Sequence, residues 1–241
     1  MEEPPGIVAV SDVHSPLYLE AYKRSLSLTG LKHVDLVLFA GDMVERNMIH
    51  AFKPVEEATR KAFPEAEIVA VFGNDEFIEH EDEYKQLYPS VRWLDDELYT
   101  IDIRGYKVGI VGSRGAIDRP TWWQKKHIPG IEEIYAKRAE RIAGLLEEST
   151  TRNDITILVT HYGVAQCTLI GEPRKAWPGI YSRRMEAIVK KYKPNAAVHG
   201  HAHKGRPHCR LDGVPIYNAA FPVNRRPVKI NYNMGLLGYL A

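Results

Sequence analysis

Cysteine is scarce in this sequence, with only Cys167 and Cys209 in 241 residues. Their contexts do not look like a disulfide framework or a zinc finger, so they predict unpaired thiols in a reducing, intracellular setting. Long apolar runs are missing as well. None approaches the ~20 residues that cross a bilayer. The start, Met1-Glu2-Glu3-Pro4-Pro5-Gly6, has neither the basic segment nor the apolar core of a signal peptide. A cytoplasmic protein with no membrane partner is the expectation. Charge of one sign is not in excess either, since 32 Lys and Arg against 31 Asp and Glu leave +1. The chain therefore has no overall basic footprint for nucleic acid, although a local patch is still allowed. Repeats, low-complexity stretches and linkers are absent, and a chain of this length can bury a sizeable core. Residues 1–241 are expected to form one domain.

What is there is one context used five times. Short apolar runs, Ile7–Val10, Asp35–Ala40, Glu67–Phe72, Asp154–Val159 and Ala196–Val198, read as buried strands. Each is followed closely by residues that can hold a metal: Asp12 and His14, Asp42, Asn74, His161, and finally His201 and His203. The last pair stands in Asn195–Lys204, reading N-A-A-V-H-G-H-A-H-K. Alternate residues of an extended segment point the same way, so two imidazoles can lean toward one place.

Helices are predicted between the runs. The first spans Leu17–Leu28, with Ser15 as its cap, Pro16 at its first position and Gly30 as its stop. Others are predicted at Pro54–Phe63, Glu81–Tyr88, Ile131–Glu148 and Ser182–Tyr192, and hairpins at Leu98–Val111 and Pro207–Asn218. A last strand lies near Val228–Tyr232. The opening β-α-β-α-β order implies parallel strands with right-handed crossovers. Sheets of that kind gather ligands at the carboxyl ends of their strands. Two irregular stretches remain, Gly112–Gly130 and Val164–Tyr181. In the first, Trp122 and Trp123 either stack a nucleobase or pin the loop to the domain.

Each candidate alone is an ordinary turn residue or a core histidine. Together, the set is all nitrogen and oxygen with no thiolate. It suits Mn, Fe, Zn, Co or Ni and argues against calcium or a structural zinc.

In this order, Asp12-x-His14, Gly41-Asp42, Gly73-Asn74, His161 and Gly200-His201-Ala202-His203 resemble the calcineurin-like metallophosphoesterase family, from Ile7 to about Tyr232. The resemblance implies an α/β fold. It would be a four-layer α/β/β/α sandwich of two mixed sheets, with a dinuclear metal centre at the strand carboxyl ends. It further implies that Asp12, His14 and His203 hold one divalent ion, and that Asn74, His161 and His201 hold the other. Asp42 would bridge them, and manganese is the favoured metal. In such a site the ions polarise a phosphoryl group and activate a shared water to attack phosphorus in line.

One position departs from the pattern. The family usually has histidine after the Gly-Asn pair, where it contacts the phosphate and helps the leaving group depart. This chain has Asp75 there, in Gly73-Asn74-Asp75-Glu76. An ionised Asp75 would repel phosphate, and Arg114 is the first candidate to supply the missing contact. The reading is a phosphoesterase, above all a phosphodiesterase, acting on a small substrate of nucleotide-like kind. A nuclease is the rival within the class, unsupported by the net charge. A metal-retaining interaction scaffold whose catalysis has faded is the rival outside it, and Asp75 keeps that reading open. Compact members of the family often self-associate, so a homodimer is compatible with the resemblance, although nothing in the sequence shows one.

Overall fold

The computed structural model describes residues 3–28, 30–31 and 33–234. Its strands are β1 (Ile7–Val10), β2 (Leu36–Ala40), β3 (Glu67–Val71), β4 (Arg92–Leu94), β5 (Glu97–Ile103), β6 (Tyr106–Ser113), β7 (Ile155–Thr160), β8 (Ala196–His199), β9 (His208–Leu211), β10 (Val214–Asn218) and β11 (Val228–Lys229). Its α-helices are α1 (Leu19–Ser27), α2 (Lys53–Ala62), α3 (Glu81–Leu87), α4 (Trp122–His127), α5 (Ile131–Arg152), α6 (Arg183–Tyr192) and α7 (Phe221–Asn224).

The strands form two sheets. One has the order β11-β1-β2-β3-β4, parallel except where β11 pairs antiparallel with β1. The other has the order β5-β6-β7-β8-β10-β9, parallel in the middle and antiparallel at both ends. Both sheets are therefore mixed, as expected.

The apolar runs look continuous because both strand faces are covered. In β1, Val8 and Val10 pack toward the helix side with Tyr22 and Val55, while Ile7 and Ala9 pack toward the second sheet with Ile110 and Ile157. Beyond that sheet, Ile131, Tyr135, Ala139, Ile142 and Leu146 of α5 pack on Leu158 and Ala197, together with Met185 and Val189 of α6. Three apolar layers thus separate four layers of structure, helices on the outside and two sheets between.

Several expected boundaries moved for identifiable reasons. The first helix does not begin at Pro16. The Ser15–Pro16 bond is cis, and the backbone N–H groups of His14 and Ser15 donate to Asp42 O (3.1 Å) and Met43 O (2.9 Å). That tie along the loop after β2 holds the segment out of helix until Leu19, and Ser15 caps nothing. The stretch 112–130 is not one loop. β6 runs on to Ser113, and α4 follows a capping box in which Thr121 and Gln124 satisfy each other's backbone N–H groups. α5 outruns its expected end at Glu148. The hydroxyls of Thr150 and Thr151 donate back to Leu146 O and Glu147 O and keep its last turn closed.

The cysteines are a clear correction. Cys167 and Cys209 form a disulfide, so the expected free thiols are not present and the inference to a reducing compartment loses its support. Forty-two positions separate them in sequence. The fold joins them by laying the 3₁₀ turn Gln166–Leu169 against β9, with Arg206 N–H donating to Thr168 O at 2.8 Å. Among the described residues no helix is long and apolar enough to cross a membrane.

His199, at the end of β8, is fully buried, with its ring nitrogens 2.8 Å from Thr168 Oγ1 and from Gly200 O. Burial pulls its pKa down to about 4. Below its unfolded pKa of 6.5 the unfolded chain takes up the proton more readily, so stability is lost as pH falls from 6.5 toward 4. Linkage puts that loss at about 2 kcal/mol between pH 7 and pH 5. His199→Gln should remove it from the pH dependence of urea unfolding. An unchanged slope would show that His199 titrates normally.

Candidate metal centre

Each expected ligand sits just past a strand end, and the backbone there is unusual. Asp12, His14, Asp42 and His201 all have positive φ, between 42° and 65°. That region is uncommon for residues carrying a Cβ and gathers at functional sites. Glycines beside them make room. A Cβ on Gly73 would overlap Asp42 Oδ1, and one on Gly200 would lie 2.6 Å from Asp12 Oδ2.

The structure brings Asp12, His14 and His203 together, with one donor atom from each lying within 4.8 Å of the others. Asp12 Oδ2 is occupied, accepting from Ser11 Oγ (2.5 Å) and His201 N (3.0 Å). Its Oδ1 faces the histidines, 2.8 Å from His203 Nε2 and 3.8 Å from His14 Nε2. His14 Nδ1 lies 3.3 Å from Asp75 Oδ2. Its Nε2 is buried without a hydrogen-bond partner. Burial opposes the charge of Asp12, but His203 and His161 outweigh it and hold the carboxyl below its usual range.

The second group is Asp42, His161 and His201, again with donor atoms within 4.8 Å of one another. His161 Nδ1 donates to Ala40 O at 3.0 Å, which leaves Nε2 with its lone pair. That Nε2 lies 3.0 Å from Asn74 Oδ1 and 3.5 Å from Asp42 Oδ2. Asn74 Nδ2 donates to Asp75 Oδ1 at 3.1 Å, so its amide oxygen is the atom facing His161. Burial lowers the pKa of His161, and lowers that of His201 to about 3. Three lone-pair atoms, His161 Nε2, Asn74 Oδ1 and Asp42 Oδ2, therefore face one another, and either a proton on Asp42 or a bound cation must reconcile them. A cation is what such a set fits.

Asp42 belongs to both sides, since His14, Asp42 and Asp75 also bring donor atoms within 4.8 Å. Its carboxyl is pushed up by burial and then by the charges of Asp12 and Asp75, a penalty that cations between them would relieve. All seven expected ligands thus line one cage.

The two residues assigned to catalysis are placed differently. Asp75 borders the cage. Burial raises its pKa, but hydrogen bonds from His14, Arg46 N–H and Asn74 outweigh that and keep it ionised. It orients His14 in the way carboxylates orient metal-binding histidines. Arg114 is only 5% exposed, its Nη2 2.6 Å from Glu81 Oε1 and its Nη1 3.0 Å from Glu76 O. A phosphate contact from Arg114 would have to compete with that buried pair.

Glu76 received no role from the sequence and proves central. Its buried carboxylate accepts from the backbone N–H of Gly73 (2.7 Å), Asp42 (2.8 Å) and Met43 (2.8 Å), stitching the loops after β2 and β3 together. Burial, and then the Asp42 charge, push its pKa up to about 7. The only signal was its place in Gly73-Asn74-Asp75-Glu76. Trp122 and Trp123 do not pin their loop by burial, being 73% and 58% exposed.

Paired sets of imidazole, carboxylate and amide donors, joined by one shared carboxylate at the ends of two packed sheets, are the arrangement that could hold two metal ions side by side. The calcineurin-like phosphoesterase family model matches residues 6–205, and the chain belongs to that family. The fold is similar to that of a phosphopantetheinyl hydrolase from Mycobacterium tuberculosis, at 16% identity and TM-score 0.63, over 93% of this chain and 95% of that one. It is also similar to a dimetal phosphatase from Danio rerio, at 11% identity and TM-score 0.60, over 90% and 87%. The anchor of the inner membrane complex of Plasmodium shares it too, at 10% identity and TM-score 0.58, over 95% and 76%. Comparison with curated proteins finds no match.

Proposed function

We propose that this phosphoesterase hydrolyses phosphodiesters in preference to phosphomonoesters, using two divalent ions, manganese first among them. Bound ions supply charge for the phosphoryl oxygens and lower the pKa of a water between them. Asp12, His14 and His203 would hold one ion and Asn74, His161 and His201 the other, with Asp42 between. The observation that carries the preference is Asp75. Its carboxylate is ionised, with both oxygens engaged by His14, Arg46 N–H and Asn74, so it has no proton to give a leaving group. A diester bears one negative charge and a monoester nearly two at neutral pH, so the anion beside the cage disfavours the monoester more. One extra charge at ~6 Å and an effective dielectric of ~40 is worth about 1.4 kcal/mol, or tenfold.

With Mn bound, bis-p-nitrophenyl phosphate should turn over faster than p-nitrophenyl phosphate. Asp75→Asn should shift the ratio toward the monoester by about tenfold, whatever it does to both rates through His14. A ratio that does not move removes Asp75 as its source. No turnover of either ester with Mn, Zn, Fe, Co or Ni would overturn the proposal and leave a metal-holding interaction module.

A further inference from the structure

Next to the second group of donors the surface opens into a cleft of about 880 Å³ whose wall includes Asn74 and His201. The cleft is therefore continuous with the metal cage. Its outer walls are apolar. The loop after β3 supplies Phe77 and Ile78, 41% and 54% exposed, and α4 and α5 supply Trp123 and Ile134, 58% and 39% exposed. Single exposed apolar side chains are ordinary, but four around one opening mark a binding surface. Trp123 is further braced, its ring stacked on His127 with centroids 4.6 Å apart and planes 25° apart.

The charges in the cleft are already matched. Arg114 is paired with Glu81 at 2.6 Å and Arg138 with Asp96 at 2.9 Å, while Glu79 adds negative charge to the wall. Such a wall gives a second phosphate or a nucleic-acid backbone little to bind.

We infer that this cleft receives an uncharged apolar substituent of the ester, an alkyl or aryl group, while the phosphoryl group lies in the cage. The inference rests on the phosphoesterase reading above and names its substrate class. Two experiments separate it from that reading. In the first, a series of alkyl p-nitrophenyl phosphates from methyl to octyl is assayed with Mn. KM should fall about fourfold per methylene until the cleft is filled, and the double variant Ile78→Ser, Ile134→Ser should flatten the series. In the second, calorimetry follows binding of methyl- to octylphosphonate, with affinity rising along the same series.

Turnover that ignores chain length, with phosphonate affinity equally flat, overturns the inference and leaves the hydrolase standing. Preference for thymidine 5′-(p-nitrophenyl phosphate) over the octyl ester overturns it in favour of a nucleotide substrate. Length-dependent phosphonate affinity without any turnover supports the cleft and removes the hydrolase.

Discussion

Asp42→Asn is expected to lower turnover of bis-p-nitrophenyl phosphate by more than about 100-fold and to reduce the metal retained after gel filtration from two ions per chain toward one. The scale follows from ligand orientation. Losing a residue that merely orients a metal ligand costs about 10–100-fold, and Asp42 is placed to be a ligand to both ions. It is the member shared between the groups around His161 and around His14. Asparagine keeps the shape, so the Asp75 N–H that donates to Asp42 Oδ1 at 2.7 Å still finds an acceptor and the loops should fold as before. What is lost is the negative charge between two cations. Retention of two ions with near-normal turnover would show that Asp42 does not bridge.

Glu76→Ala should be the most damaging change outside the ligand set. It strips the partner from the backbone N–H groups of Gly73, Asp42 and Met43, all buried. Each orphaned donor costs about 1–3 kcal/mol. Because the three share one carboxylate their costs do not simply add, and a loss of about 3–5 kcal/mol in urea unfolding is the expected range. Metal affinity should fall as well, since the loop bearing Asp42 loses its anchor to the loop bearing Asn74. A change under about 1 kcal/mol, with metal binding intact, would mean that water replaces the carboxylate and that Glu76 is not a keystone.

The metal centre was far more legible than the cleft beside it. Asp12, His14, Asp42, Asn74, His161, His201 and His203 each follow an apolar run, and a parallel sheet brings such strand ends to one side. Periodicity and punctuation therefore place them at one edge of the sheets, while their division between two ions came only from the family resemblance. Glu76 escaped because its role is to accept backbone N–H groups from a loop 33 and 34 positions upstream, and a lone glutamate carries no mark of that. The disulfide escaped for a similar reason, since Cys167 and Cys209 meet only through the docking of a 3₁₀ turn on β9. Helix α4 was overlooked although Thr121-x-x-Gln124 is a capping pattern. Six residues with no apolar stripe offered nothing else to read.

The pairing of the first strand with the last has a consequence for how the protein is made. β1 takes β11 as its outer neighbour, and Ser11 N–H donates to Ala219 O. Asp12 meets His203 only after 190 intervening residues have been added. While the ribosome is still at work, the emerging chain carries Asp12, His14, Asp42 and Asn74 with no imidazole partners from the second sheet. Such a half-built pocket is rich in carboxylate and poor in the groups that would satisfy it. Closure waits for the carboxyl-terminal third, so any ions the cage takes up would find their full set of donors only on the finished molecule.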